Sequence, residues 1–157
     1  MQRREFLGLI GGAAVWPMLA RTQQPARPVV GYLYAGAPEQ SLNLQAAFRT
    51  GLIDAGFFEG RNVAIERRFA NGDLSRLPEL AADLVRRRVA VIVASRSSPA
   101  ALAAKAASTT VPVVFSTGGD PVQIELVASL NRPGGNVTGI TTLSGEVAPK
   151  RLVACTG

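Results

Sequence analysis

The sequence contains no histidine and only one cysteine, Cys155. Without an imidazole there can be no Ser-His-Asp triad and no Cys-His pair, so two common ways of activating a nucleophile are closed. One thiol cannot close an intramolecular disulfide, and without histidine it cannot build a zinc cage. Aromatic residues make up only 6% of the chain, and none is interleaved with its one dense basic cluster, Arg86-Arg87-Arg88. Nucleobases therefore find no stacking platform there. Neither GxGxxG nor GxxxxGK[ST] occurs, which removes the dinucleotide and P-loop fingerprints. No cofactor and no metal are expected.

What remains is a globular composition: 157 residues, 47% hydrophobic and 18% charged. That length suits one folded domain and hardly two. The net charge is +6. The first 26 residues hold three arginines and one glutamate, so setting them aside leaves +4. The Arg86-Arg87-Arg88 cluster falls at the end of a predicted helix, where cations complement the negative end of the helix dipole. The charge is read as a basic leader plus solvated arginines, and nucleic acid is not expected as a partner.

Residues 1–26 read as an export signal. Arg3-Arg4 form a charged start, and an apolar run from Phe6 to Leu19 follows. The run is shorter than the about 20 residues needed to cross a bilayer and fits a signal-peptide core. Arg3-Arg4-Glu5-Phe6 followed by Leu7-Gly8 resembles the bacterial twin-arginine export motif. Ala20-Arg21-Thr22-Gln23-Gln24 offers small residues for cleavage; left uncleaved, the run would be a short membrane anchor. No cysteine follows it, so a lipid-anchored start is not expected. The mature chain is expected in the periplasm.

Beyond the leader, strands and helices alternate. Val29–Tyr34 is an apolar run between Pro28 and the loop Ala35-Gly36-Ala37-Pro38, and reads as a buried strand. From Ser41, Leu44, Phe48, Leu52 and Ile53 recur at helical spacing, with Ser41 as the cap and Gly56 as the stop. A second strand is expected over 62–69, with Val63, Ile65 and Arg67 on one face and the other face wet. A helix follows over 75–88, then the apolar run of a central parallel strand over 89–94. Ser97-Ser98-Pro99 opens an alanine-rich helix through Ala107. A strand over 111–115, a short helix over 122–130 and a strand over 137–142 complete the alternation, and another helix is expected from Glu146. This rhythm predicts an α/β fold, a parallel sheet flanked by helices on both faces. In such sheets ligands sit beyond the carboxyl ends of the strands.

The loops at those ends are rich in Ser, Thr and Gly. Ser97 and Ser98 stand at a helix start, where free N–H groups and hydroxyls can receive a carboxylate; the same serines would serve equally as helix caps. Gly118-Gly119-Asp120-Pro121 lets backbone approach a ligand or makes a plain turn. Thr141 and Thr142 add hydroxyls at the fifth strand end. The inventory holds donors, acceptors and one carboxylate, Asp120, but no nucleophile–base pair.

Several stretches resemble the periplasmic substrate-binding proteins of ABC transporters, in the family of tryptophan- and tyrosine-type binding proteins. They are GYLYAGAPE, FRTGLIDAGFFEGRNVAIERRFANGDLSRLPELAADLV and PVVFSTGGDPVQIELVASLNRPGGNVTGITTLSGEVAPKRL, with the leader RREFLGLIGGAAVWP ahead of them. The most specific strings are GF-x-EGRNV-x-IE, GDPV and RPGGNVTG. The resemblance implies a type I periplasmic-binding-protein fold, whose two lobes close on an amino-acid-like or small carboxylate ligand and then dock on an inner-membrane permease. It implies that residues 27–152 form the first lobe, without the second, and that residues 153–157 are a divergent, truncated tail. It further implies that Ser97 and Ser98 hold the ligand carboxylate and Asp120 meets an amine. Tyr34 and Ala35 would supply packing and backbone groups, with Thr141 and Thr142 near the crossing between lobes. Arg96 departs from the small, uncharged residue such a loop more often carries. A single lobe is expected to bind weakly or not at all and to leave its interlobe face open to association. The competing reading, an exported α/β enzyme with a bound cofactor, has no dinucleotide loop and no histidine to support it.

Overall fold

The computed structural model describes residues 27–142. The leader, the helix expected from Glu146 and the tail at 153–157 lie outside the described residues. Strand β1 (Val29–Tyr34) leads through a 3-10 turn (Pro38–Ser41) into helix α1 (Leu42–Asp54). Strand β2 (Ala64–Phe69), a second 3-10 turn (Leu74–Arg76) and helix α2 (Leu77–Arg86) follow. Strand β3 (Val91–Ala94), helix α3 (Ser98–Ala107), strand β4 (Val113–Thr117) and strand β5 (Val137–Thr141) complete the order. All strand pairings are parallel, and the sheet runs β2-β1-β3-β4-β5. The expected α/β architecture is the one found.

Register decides which side chains share a face. Val30 lies opposite Ile65 and Val91, and Tyr32 opposite Arg67 and Val93. Leu33 and Ala94 align on the other face, together with Phe115. That second face carries most of the core: Leu33, Ile92, Ala94, Val113 and Phe115 pack beneath α2 and α3 through Leu77, Ala81, Leu84, Ala101 and Ala104. The alanines let α3 lie close to the sheet. Gly31 does the same for α2, since a Cβ there would meet the Leu84 Cδ1 at 3.0 Å.

The first face is covered more loosely. Helix α1 has no buried residue; its predicted stripe of Leu44, Phe48 and Leu52 is only half-buried, and Ile53 is exposed. Contact with the sheet runs through aromatic rings, Phe48 lying 5.6 Å from Tyr32 between centroids. Helix α1 ends as expected. Gly56 takes φ +83°, its N–H bonds the Ile53 carbonyl, and the Phe57 N–H reaches back to Leu52 at 2.7 Å. This is a double-bonded C-terminal cap that needs a left-handed residue.

Several expected boundaries move, each for a local reason. Ser41 precedes α1 but makes no side-chain cap; its hydroxyl donates to the Pro38 carbonyl at 2.9 Å instead. The second strand starts at Ala64, because the Asn62 amide ties the Phe58 N–H and the Gly56 carbonyl into the preceding turn. Helix α2 starts at Leu77 after the 3-10 turn, which Asp73 caps by accepting the Ser75 N–H. The third strand starts at Val91, because Arg88 turns left-handed at φ +55° and the Val89 N–H still reaches the Leu84 carbonyl. The fourth strand spans Val113–Thr117, two residues later than expected. Pro112 has no N–H to give a ladder, and the Asn136 amide occupies the Val111 carbonyl. No helix forms over 122–130; the segment is a chain of turns. Glu125 sits at φ +56°, and the Leu126 and Val127 N–H groups both return to the Pro121 carbonyl.

Strand β2 is an edge, as predicted, but its two faces are alike, each half-covered rather than one dry and one wet. All six of its residues are half-buried. On the α1 face, Arg67 holds Glu59 through two bonds of 2.7 and 2.9 Å, and Arg49 adds a third. On the α2 face, Arg68 donates twice to one Asp83 oxygen, at 2.9 and 2.7 Å, and once to Glu66. Arg86 and Arg87 of the basic cluster also pair with Asp83, so part of that cluster is structural.

Two outcomes are expected from this packing. Gly31→Val should force α2 away from the sheet and lower stability by about 2 kcal/mol, measured by urea unfolding. The second concerns acid. The Arg67 hydrogen bonds, with help from Arg49, hold the Glu59 carboxyl at about 2 against an ordinary 4.5. A carboxylate with a lower pKa in the folded chain binds fewer protons there than in the unfolded chain. Its contribution is therefore complete above pH 4.5 and drains away as the pH falls toward 2. Glu59→Gln should lower the thermal midpoint at neutral pH and flatten its acid dependence over that window, read by circular dichroism melts.

Candidate functional site

In a parallel sheet every carboxyl end lies on the same edge. From β1 the chain moves outward to β2, then crosses back to β3 on the other side of β1. The loops leaving β1 and β3 therefore diverge, which opens a crevice above the sheet. Three connections meet there, the segments after β3, β4 and β5, with Leu44 of α1 beside them.

Hydroxyl groups lace these connections together. Ser97 caps α3, its Oγ accepting the Ala100 N–H at 3.2 Å, as Pro99 in the first turn requires of the preceding chain. The Ser98 Oγ lies 2.6 Å from the Thr117 Oγ1 at the end of β4. Thr117 also accepts the Gly119 N–H, and its carbonyl takes the Thr142 N–H at 2.9 Å. The Ser116 Oγ accepts the Arg96 N–H at 3.0 Å. The Thr141 Oγ1 donates to the Gly119 carbonyl at 2.6 Å. Thr117 is the hub of this lacing and is itself buried.

Above the laced loops is a cleft of about 580 Å³. Leu44 of α1 and Ile140 of β5 form its apolar sides; Arg96, Ser116, Thr117 and Thr142 supply polar groups, and Gly118 leaves backbone bare. A cleft of this size suits a small molecule. Arg96 is the charged residue of that lining, and among the described residues no carboxylate pairs with its guanidinium. On the α1 side of the sheet, the Tyr32 hydroxyl is buried, and burial pushes its pKa above the usual 10.0.

The seven residues expected at the site all lie along this edge, in different roles. Thr142 lines the cleft. Ser97 and Ser98 lie at the start of α3, Ser97 acting as the cap and Ser98 tied to Thr117. Thr141 anchors the loop after β4. Asp120 spends one oxygen on the Val122 and Gln123 N–H groups, leaving the other unengaged among the described residues. Tyr34 and Ala35 turn toward β2, where their carbonyls accept the Ala70 and Gly72 N–H groups. Ser116, Thr117 and Leu44 were not singled out by sequence. The signal for the first two was a pair of hydroxyl residues directly after the apolar run ending at Phe115, which reads as loop until the strand is seen to continue.

A second hollow, of about 470 Å³, lies near the opposite edge, between the last turn of α3 and the start of β5. Two of its polar side chains are already committed: Lys105 donates to the Glu125 carbonyl, and the Asn136 amide to the Ser108 and Val111 carbonyls. Among the described residues no group of three His, Cys, Asp or Glu is placed to hold a metal ion. No described helix is long and apolar enough to cross a membrane.

Residues 40–149 match the model of a family described as ABC transporter substrate binding protein. A tyrosine-binding protein of Clostridioides difficile (strain R20291) is 36% identical over 92 residues, 59% of this chain and 26% of that protein. The chain thus spans about a quarter of that curated relative. A crystal structure of a conserved domain protein from Vibrio cholerae matches with TM-score 0.73 and 28% identity, over 81% of this chain and 43% of the other. An ABC domain in complex with L-Trp from Streptococcus pneumonia matches with TM-score 0.64 and 27% identity, over 74% and 39%. The ligand-free, open structure of a substrate binding protein with adhesive properties from Clostridium difficile gives TM-score 0.66 and 27% identity, over 71% and 38%.

Thr117→Val keeps the shape of the hub and removes its hydroxyl. The change orphans Ser98 and the Gly119 N–H, so it should cost about 1 kcal/mol. Amide exchange should rise in the loops after β3 and β4 and leave β1 and β2 untouched.

Proposed function

Because the chain belongs to the family of ABC transporter substrate binding proteins, we propose that its laced strand-end edge is one wall of a solute-binding site. The solute is an amino acid or another small carboxylate. The carrying observation is the meeting of the chain ends after β3, β4 and β5 with Leu44 of α1 around one cleft. In such a place fixed N–H and hydroxyl groups recognise a ligand without altering it, and no catalytic step is needed. The solved relatives are more than twice as long as the stretch they share with this chain, which supports a second lobe as the opposite wall.

Within this wall, Ser98 and the backbone at the start of α3 receive the ligand carboxylate, and Ser97 holds that helix start in place. The unengaged Asp120 oxygen meets an amine where the ligand has one. Thr142 borders the cleft, while Thr141 fixes the loop beneath it; Tyr34 and Ala35 support the edge from the β2 side. Arg3-Arg4-Glu5-Phe6-Leu7 supports export by the twin-arginine route into the periplasm. There the loaded protein meets an ABC permease of the inner membrane.

The test is a nitrogen-15 NMR titration of the chain with a panel of amino acids and small carboxylates at millimolar concentrations. At least one compound should shift the amides of Ser97, Ser98, Gly118, Gly119 and Thr142 together. If no compound moves them, the solute-binding reading is wrong.

A further inference from the structure

Arg96 stands out within the proposed wall, and a role for it in recognition rests on the solute-binding reading of that wall. It sits at φ +45°, a conformation that costs a side-chain-bearing residue about 1 kcal/mol and that glycine would adopt freely. Its N–H is held by the Ser116 hydroxyl, which ties its backbone to the end of β4, and it lines the cleft. Its neighbours in that lining are the apolar Leu44 and Ile140 and the uncharged Ser116, Thr117, Gly118 and Thr142. Five arginines of the fold meet carboxylates, Arg49 and Arg67 through Glu59, and Arg68, Arg86 and Arg87 through Asp83; Arg27, Arg61, Arg76, Arg88 and Arg132 meet none among the described residues, but none of these lines the cleft. Arg96 has no such partner among the described residues. The exposed Arg96 thus borders a cleft with apolar sides and, among the described residues, no anion in its lining.

We infer that the solute carries two acidic groups, one at the start of α3 and one on Arg96, joined by a short carbon chain that lies between Leu44 and Ile140. The ligand class is a small dicarboxylic acid, with or without an α-amine. A guanidinium binds carboxylate through two parallel hydrogen bonds, so Arg96 sets specificity for the second acid. A ligand with one carboxylate leaves the guanidinium unmatched.

Two matched pairs of probes test this: succinate against butyrate, and glutamate against glutamine. Each pair keeps the carbon skeleton and removes one negative charge. In the unaltered chain, the nitrogen-15 titration should show succinate and glutamate binding at least about tenfold more tightly than their partners. Arg96→Gly removes the guanidinium and relieves the backbone, so its thermal midpoint should not fall. In that variant the preference should vanish, with butyrate and glutamine unchanged. If glutamine or another neutral amino acid binds and the diacids show no advantage, the diacid inference is overturned while the solute-binding reading stands. An advantage that survives Arg96→Gly overturns the role of Arg96. Silence toward all four probes and the wider panel overturns both readings.

Discussion

Strand β1 hydrogen-bonds to β2 on one side and to β3 on the other, with Val30 opposite both Ile65 and Val91. This double register is the constraint on which the rest depends. It sends Gly31 and Leu33 to the α2–α3 side and Tyr32 to the α1 side. It also makes β1 the place where the chain reverses direction across the sheet. Side chains alternate along a strand, so a slip of one residue would bring Tyr32 under α2 and Gly31 under α1. The Leu84 contact would then meet a phenol, and Phe48 would lose its ring partner. The apolar sequence VVGYLY suits a strand buried on both faces, and its one glycine falls where a helix approaches.

The regular parts of this fold were legible because their signals are local. The run Val29–Tyr34 and the Ser97-Ser98-Pro99 helix start carry their assignments in a few adjacent residues. The stretch over 122–130 misled because its apolar residues mimic a helix period. Its Leu126 and Val127 are buried by successive turns instead, with the chain bending left-handed at Glu125. At the candidate site, the hydroxyl groups singled out by sequence lie along the strand-end edge, though only Thr142 of them lines the cleft. Sequence could not say which hydroxyls face a ligand and which face each other. Ser98 and Thr117 are far apart in the chain, and their bond exists only because β3 and β4 are neighbours. Thr117 as hub was beyond the reach of any local pattern.

The two faces of the sheet are finished in different ways. Beneath α2 and α3, alanines and branched aliphatics close the gap, and burial does the stabilising. Along β2 the outer boundary is made by arginines bound to acids on both faces, leaving no dry apolar edge for another strand to join. The acidic partners come from the turn after α1 and from α2, so the charges also fasten these segments to the sheet margin. The chain's excess of arginine is thus partly absorbed into architecture. What is left over is distributed singly, and Arg96 is the member that lines a cavity.

The lacing of the strand-end loops also has a kinetic meaning. Each loop end is tied to a neighbour: Arg96 to Ser116, Ser98 to Thr117, Thr141 to Gly119, and the Thr142 N–H to the Thr117 carbonyl. A surface assembled before its guest arrives spends little conformational entropy on ordering when that guest lands. Encounter on such a wall is limited by diffusion and orientation, since nothing has to fold first. Differences in affinity between guests then show as differences in how long each one stays.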